Sequence, residues 1–191
     1  MPLVFACVLL PESFPHPMRQ PNVKIEYLGK ARVTPREKKE ILALVFAERS
    51  VEACTGFERG VSEEIDSIRI ARTSLKPREY NLLVQASDNC NCGGTGNCAF
   101  WIVRQGPDGF ETLLKTDMVQ SFAVEPSSSN GYKDIMTYAH GSASYGELAL
   151  YQFDGKQYRK TRCADEEYKL RDDGTFAEKP TITATECSKD D

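Results

Sequence analysis

Cys90, Asn91, Cys92, Gly93, Gly94, Thr95, Gly96, Asn97 and Cys98 put three cysteines and three glycines into nine residues. Such a stretch serves one of three chemistries: metal ligation, dithiol redox or disulfide crosslinking. Structural zinc sites draw on cysteines separated by two residues, and thioredoxin-like dithiols use the same spacing. Cys90 and Cys92 are separated by one residue, so neither signature is met, and no metal and no cofactor is expected. The glycines are not followed by the Lys-Ser/Thr pair of a phosphate loop, and the segment leads into a strand pattern. Disulfide crosslinking of a tight loop is the reading that fits. The candidates are Cys54, Cys90, Cys92, Cys98, Cys163 and Cys187. The expected pairs are Cys92 with Cys98 across the loop, Cys54 with Cys90, and Cys163 with Cys187 holding the C-terminal tail.

His140 opens a second segment of interest, His140, Gly141, Ser142, Ala143, Ser144, Tyr145, Gly146. A Ser/His/Asp hydrolase needs an acid within hydrogen-bonding reach of the histidine. Asp134 is the nearest upstream acid, and along one strand it lies about 20 Å away. No nucleophile elbow is present either, so no catalytic residue is assigned. His140 reads first as a surface histidine in a small-residue hairpin loop; a recognition loop is the alternative, because loops on a rigid sheet carry binding more often than the sheet does. The candidate ligand-binding residues are His140, Ser142, Ser144 and Tyr145 together with Thr95 and Asn97. A shared site requires that the two loops emerge at the same end of the sheet.

The acidic pairs Glu63, Glu64 and Glu166, Glu167 are expected among 28 acids in the chain and read as solvated faces. Two-carboxylate hydrolysis depends on a spatial separation that sequence does not give. Trp101 with Tyr132, Tyr138, Tyr145, Tyr151 and Tyr158 concentrates aromatics in the second half, where alternating strands use them as core and cross-strand pairs.

Positioning these residues falls to a chain of 191 residues, 40% apolar and 27% charged, enough for one core of ordinary globular kind. A net charge of −4, with basic and acidic residues interleaved, lacks the footprint of a nucleic-acid binder. Seven cysteines are many for a reducing compartment and point to a secreted or periplasmic location. Cys7 lies in the apolar run Leu3 to Leu10, which is too short for the ~20 residues of a membrane span. That run reads as the tail of a signal peptide, with an apolar disordered terminus or a lipid-bearing Cys7 as alternatives. No transmembrane segment is expected.

Pro11, Pro15, Pro17 and Pro21 make residues 1–22 an extended leader, and residues 23–188 are expected to form one α+β domain. Lys24 to Leu28 reads as a strand. Thr34, Pro35, Arg36, Glu37 is a capping box with proline at the first helical position, so a helix is predicted from Pro35 to about Val51, with Gly56 as a stop. Period-two alternation then predicts strands at Ile68 to Ile70, Leu82 to Ala86, Phe100 to Val103, Phe110 to Leu114, Val119 to Val124, Ile135 to Ala139, Leu148 to Phe153 and Gln157 to Arg162. Lys76-Pro77-Arg78, Gln105 to Gly109 and Asp154-Gly155 read as turns, and Asp165 to Asp173 as a solvated loop. The expected architecture is an antiparallel sheet of about six to eight strands with one N-terminal helix packed on it, crosslinked by disulfides.

Gly96-Asn97-Cys98 followed by Trp101, then Asn130-Gly131-Tyr132-Lys133-Asp134-Ile135, and Phe153-Asp154-Gly155 with Tyr158 and Cys163, resemble patterns in small exported bacterial proteins of unknown function over about residues 90–168. The strand-loop-Asp-Ile pattern also resembles one blade of an integrin-type repeat, but no second copy and no acidic calcium loop accompany it. Neither resemblance implies a catalytic residue. The function expected is that of a non-catalytic exported binding or inhibitor module, its partner an extracellular or periplasmic protein or a glycan. The alternatives are a carboxylate hydrolase of envelope material and a structural envelope subunit. Nothing in the sequence fixes the oligomeric state.

Overall fold

The computed structural model describes residues 23–47, 61–87 and 91–188. Strand β1 (Ile25–Tyr27) leads into helix α1 (Pro35–Val45). The helix starts where the capping box places it. Glu37 N–H donates to Thr34 Oγ1 at 3.1 Å, and Thr34 N–H donates to Glu37 Oε2 at 2.8 Å. It is shorter than the periodicity predicts: Phe46 caps it by donating its N–H to Leu42 O at 2.9 Å. The proposed stop at Gly56 lies outside the described residues. A second helix, α2 (Val61–Ser67), was not anticipated.

Nine strands follow: β2 (Arg69–Thr73), β3 (Asn81–Gln85), β4 (Cys98–Gln105), β5 (Phe110–Val119), β6 (Ser121–Ser129), β7 (Tyr132–Ser142), β8 (Tyr145–Phe153), β9 (Tyr158–Glu167) and β10 (Thr181–Thr185). They form two five-stranded antiparallel sheets, β1-β2-β3-β4-β5 and β10-β9-β8-β7-β6, rather than one sheet of six to eight strands. The division falls inside the segment predicted as one strand from Val119 to Val124. Val119 ends β5, Ser121 begins β6, and Gln120 between them donates its N–H to Tyr138 O at 2.8 Å. No glycine, proline or asparagine marks this crossover, which takes a single residue, Gln120, so the sequence carries no turn signal for the change. Gln85, buried at the end of β3, donates to Val119 O at 2.6 Å and fixes the crossing point.

Most predicted turns are present. Gly106 N–H donates to Gly109 O at 2.8 Å between β4 and β5. Asp154 Oδ1 accepts from the N–H groups of Lys156 and Gln157 at 2.7 and 2.8 Å between β8 and β9. Two tighter hairpins, each with a connection of two residues, lie elsewhere, one of them closed by Ala143-Ser144 between β7 and β8. Asn130 (φ 48°) and Gly131 (φ 83°) join β6 to β7 in two residues with positive φ, the type I′ geometry that Asn-Gly favours. The predicted loop Asp165 to Asp173 is corrected in its first third: Asp165, Glu166 and Glu167 belong to β9.

Two apolar layers organise the molecule. Between the sheets, Phe100, Ile102 and Leu114 pack with Phe122, Tyr132, Ile135, Tyr151, Phe153 and Tyr158. On the opposite face of the first sheet, Ile70, Leu82, Val84, Trp101 and Val103 pack against Ile41 and Val45 of α1, with Ile65 of α2 at the margin. The aromatic concentration of the second half is therefore largely core, as cross-strand pairing predicts. Disulfides Cys92–Cys98 and Cys163–Cys187 are both formed. Cys54 and Cys90 lie outside the described residues.

Candidate functional site

The two loops singled out in the sequence adjoin. Asn97, one residue before β4 in the first sheet, is buried, with 1% of its surface exposed. Its Nδ2 donates to His140 O at 2.7 Å and to Thr95 Oγ1 at 2.8 Å, while its Oδ1 accepts from His140 N–H at 2.8 Å. One side chain thus pairs with the whole backbone unit of a residue in the other sheet. The Cys92–Cys98 disulfide holds this loop shut, and Gly93 N–H donates to Asn97 O at 2.8 Å inside it. Asn97 and Thr95 are therefore committed to one another and to the sheet junction. Thr95, Ser142 and Ser144 lie at the surface around it, Ser144 half-buried.

His140 itself is half-buried, and its Nδ1 makes no hydrogen bond among the described residues. Asp134 stands six positions earlier on the same extended strand β7, so the separation of about 20 Å inferred from sequence holds. The Asp134 carboxylate is occupied elsewhere: its Oδ2 accepts from Ser127 Oγ at 2.7 Å and Gln152 Nε2 at 3.2 Å. These two groups form no catalytic pair.

Beside the junction lies a cavity of about 270 Å³, lined among others by Glu147, Asp165, Glu186, Lys160, Thr116 and Thr137. Thr116 of β5 lines it from the first sheet, and Thr185 at the end of β10 with Glu186 and Ser188 after it form one wall. Strand register explains the acids. Glu147 of β8 stands directly opposite Asp165 of β9, and directly opposed side chains project to the same face of a sheet with Cβ atoms roughly 5 Å apart. Tyr145, two positions before Glu147, projects to that face as well. Its hydroxyl contacts Asp165 Oδ1 at 2.9 Å and Glu147 Oε1 at 3.3 Å. The hydrogen bond to Asp165, together with the loss of solvation and the neighbouring negative charges, pushes the Tyr145 hydroxyl up to about 12. It stays protonated at neutral pH and has one proton to share between two carboxylates.

Glycine makes room for this arrangement. A Cβ on Gly141 would sit 2.5 Å from Cδ1 of Tyr145, and one on Gly146 would sit 2.2 Å from the Tyr138 ring. Tyr145 thus crosses the β7–β8 hairpin over Gly141, and Tyr138 crosses the other face over Gly146. Beneath Tyr138 and Tyr168 lies Glu166, 1% exposed, which corrects its reading as part of a solvated pair. Strand alternation turns Glu166 to the face opposite Asp165 and Glu167. Burial, and then a hydrogen bond to Glu166, raise the Tyr168 hydroxyl to about 12. Glu167 and Glu63 are exposed as expected.

A second, more open depression beside the β2–β3 turn is lined by Arg72, Arg78 and Tyr80. Its best cation is already engaged. Arg72 donates through Nε to Tyr80 Oη at 2.9 Å and through Nη2 to Arg32 O at 3.0 Å.

Of the ligand-binding residues proposed from sequence, none lines the cavity itself: Tyr145 hydrogen-bonds Glu147 and Asp165 of its wall, and Asn97, Thr95 and His140 build the junction beside it. Glu147, Asp165 and Glu186 were not singled out. The signal available for Glu147 and Asp165 was the alternation of β8 and β9, but placing them opposite one another requires the register of a hairpin that shifts between Leu150 and Tyr151. Among the described residues, no three His, Cys, Asp or Glu side chains are grouped to hold a metal ion, and no helix is long and apolar enough to cross a membrane. No protein-family model matches the chain, and no curated protein and no solved structure matches it either.

Proposed function

We propose that the protein is a non-catalytic binding module, exported from the cytosol, whose partner inserts a cationic group into the cavity beside Tyr145. The observation that carries this reading is the opposition of Glu147 and Asp165 on neighbouring strands, with the Tyr145 hydroxyl between them. Like charges directly opposite one another in a sheet destabilise it. A single shared hydroxyl proton relieves part of that cost. An ammonium or guanidinium group entering between the carboxylates would relieve the rest and form charge-assisted hydrogen bonds with both. Glu186 adds a third carboxylate to the wall, against one lysine, Lys160. The partner class that fits is a protein presenting an exposed lysine or arginine.

The same geometry weighs against carboxylate hydrolysis. That chemistry sets its two acids on either side of the scissile bond, whereas side chains opposed in one sheet both lie beneath any ligand resting on it. Two disulfides support a location outside the reducing cytosol.

Isothermal titration with hexalysine, and with the same peptide acetylated on every side chain, tests the reading. The expected result is saturable binding of hexalysine alone, weakened at least tenfold, about 1.4 kcal/mol, by Glu147→Gln or Asp165→Asn. Equal binding of both peptides, or turnover of a glycan or ester abolished by either substitution, would overturn it.

A further inference from the structure

The two sheets end in four edge strands, β1, β5, β6 and β10. An exposed edge offers unpaired backbone N–H and C=O groups to any passing strand, and proteins blunt such edges with short length, charge, proline or bulges. Three of the four are blunted. β1 has three residues. β5 carries Glu111, Lys115 and Asp117 and is bulged against β4. β6 contains Pro126 and an irregular register between Val124 and Ser128.

β10 has none of these protections. Its five residues, Thr181, Ile182, Thr183, Ala184 and Thr185, contain no charge and no proline, pair with β9 without a register shift, and are all exposed except half-buried Ile182. The Cys163–Cys187 disulfide pins the chain two residues beyond the end of the strand.

The sequence of this edge is also symmetric about its centre. When two copies of one strand pair antiparallel about a two-fold axis normal to the sheet, opposed side chains share a face, so the axis must pass through a residue. With the axis at Thr183, Thr183 meets Thr183, Thr181 meets Thr185, and Ile182 meets Ala184 of the other copy. Threonine would oppose threonine along the whole inner face, a favourable cross-strand pair. On the other face Ile182, which already packs on Met136, Leu148, Leu150 and Ala164, would gain an apolar neighbour.

Charge does not oppose the arrangement. Asp165 stands beside Thr183 on the inner face, so the two copies of Asp165 would be three strand spacings apart, about 14 Å. That exceeds the screening length of about 8 Å at physiological ionic strength.

We infer that β10 pairs with β10 of a second copy of this chain, joining two five-stranded sheets into one continuous ten-stranded sheet. This does not depend on the cation-binding reading of the cavity.

Cysteine crosslinking of the full chain tests both the pairing and its register. Thr183→Cys is expected to give a disulfide-linked species of twice 21.4 kDa under mild oxidation, because opposed residues have Cα atoms within disulfide range. Thr181→Cys alone is expected to give none, its two copies lying about 14 Å apart along the strands, whereas a mixture of Thr181→Cys and Thr185→Cys chains should crosslink. Sedimentation of the wild type is expected to show a reversible dimer whose dissociation constant rises at least tenfold in Thr183→Lys, with the circular dichroism spectrum unchanged. A monomer across the micromolar range with no crosslink at Thr183 would overturn the inference and leave the edge to a strand of another protein. Crosslinking at Thr181 as efficient as at Thr183 would overturn it too.

Discussion

Asn97 grips His140 by both ends of its backbone, donating from Nδ2 to His140 O at 2.7 Å and accepting at Oδ1 from His140 N–H at 2.8 Å. A carboxamide used this way reproduces the paired hydrogen bonds of neighbouring strands, and it does so between the two sheets, beside the crossover at Gln120. The side chain ties a disulfide-closed loop to the start of the β7–β8 hairpin that bears Tyr145.

Asn97→Ala removes the grip and leaves the half-buried His140 N–H and C=O without these partners. The expected cost is about 2 kcal/mol, read as a lower midpoint in urea unfolding. Asn97→Asp should also destabilise, because its second oxygen would face His140 O. A midpoint unchanged in both variants would show that the junction is held by other contacts.

Much of the architecture was legible before the fold because local rules and global packing agree on it. The capping box at Thr34 names its own helix start, and period-two alternation marks most strand interiors. The division into two sheets was not legible, since β5 and β6 are joined by a single residue, Gln120, with no glycine, proline or asparagine to mark the change. β10 is hard to read for a different reason: Thr181 to Thr185 has strong β-branched character but only one large apolar side chain, the pattern of an exposed edge. The site was half legible. Small residues and Tyr145 marked the loops, whereas the opposition of Glu147 and Asp165 depends on hairpin register beyond a bulge, which no local signal specifies.

Gly146 has no room for a side chain, since Tyr138 covers it at 2.2 Å from where a Cβ would stand. Gly146→Ala is expected to destabilise by about 1–3 kcal/mol through overpacking. Adding Tyr138→Leu should recover part of the loss, so that the double variant is more stable than the sum of the single costs implies. Strict additivity in a thermal or urea unfolding cycle would contradict the contact.

Thr34→Ala is expected to cost about 1 kcal/mol. The Glu37 carboxylate is held below its usual range chiefly by the hydrogen bond from Thr34 N–H. A lowered folded-state value means that this stability is present above the unfolded-state value near 4.3 and is lost as pH falls through the folded-state value. Glu37→Gln should therefore flatten the acid limb of the stability profile below about pH 4.5. A profile parallel to that of the wild type would show that Glu37 is not linked to folding there.

The central claim, that the pocket between Glu147 and Asp165 receives a cationic group, is tested most directly by following the side-chain carboxyl carbons in a nuclear magnetic resonance titration with hexalysine at low salt. The account predicts saturable shifts at Glu147 and Asp165, accompanied by the Tyr145 ring, with Asp154 and Asp173 on the remote turns unmoved and with no shifts when the peptide is acetylated. Uniform small shifts at all exposed carboxylates, or none at Glu147 and Asp165, would contradict it.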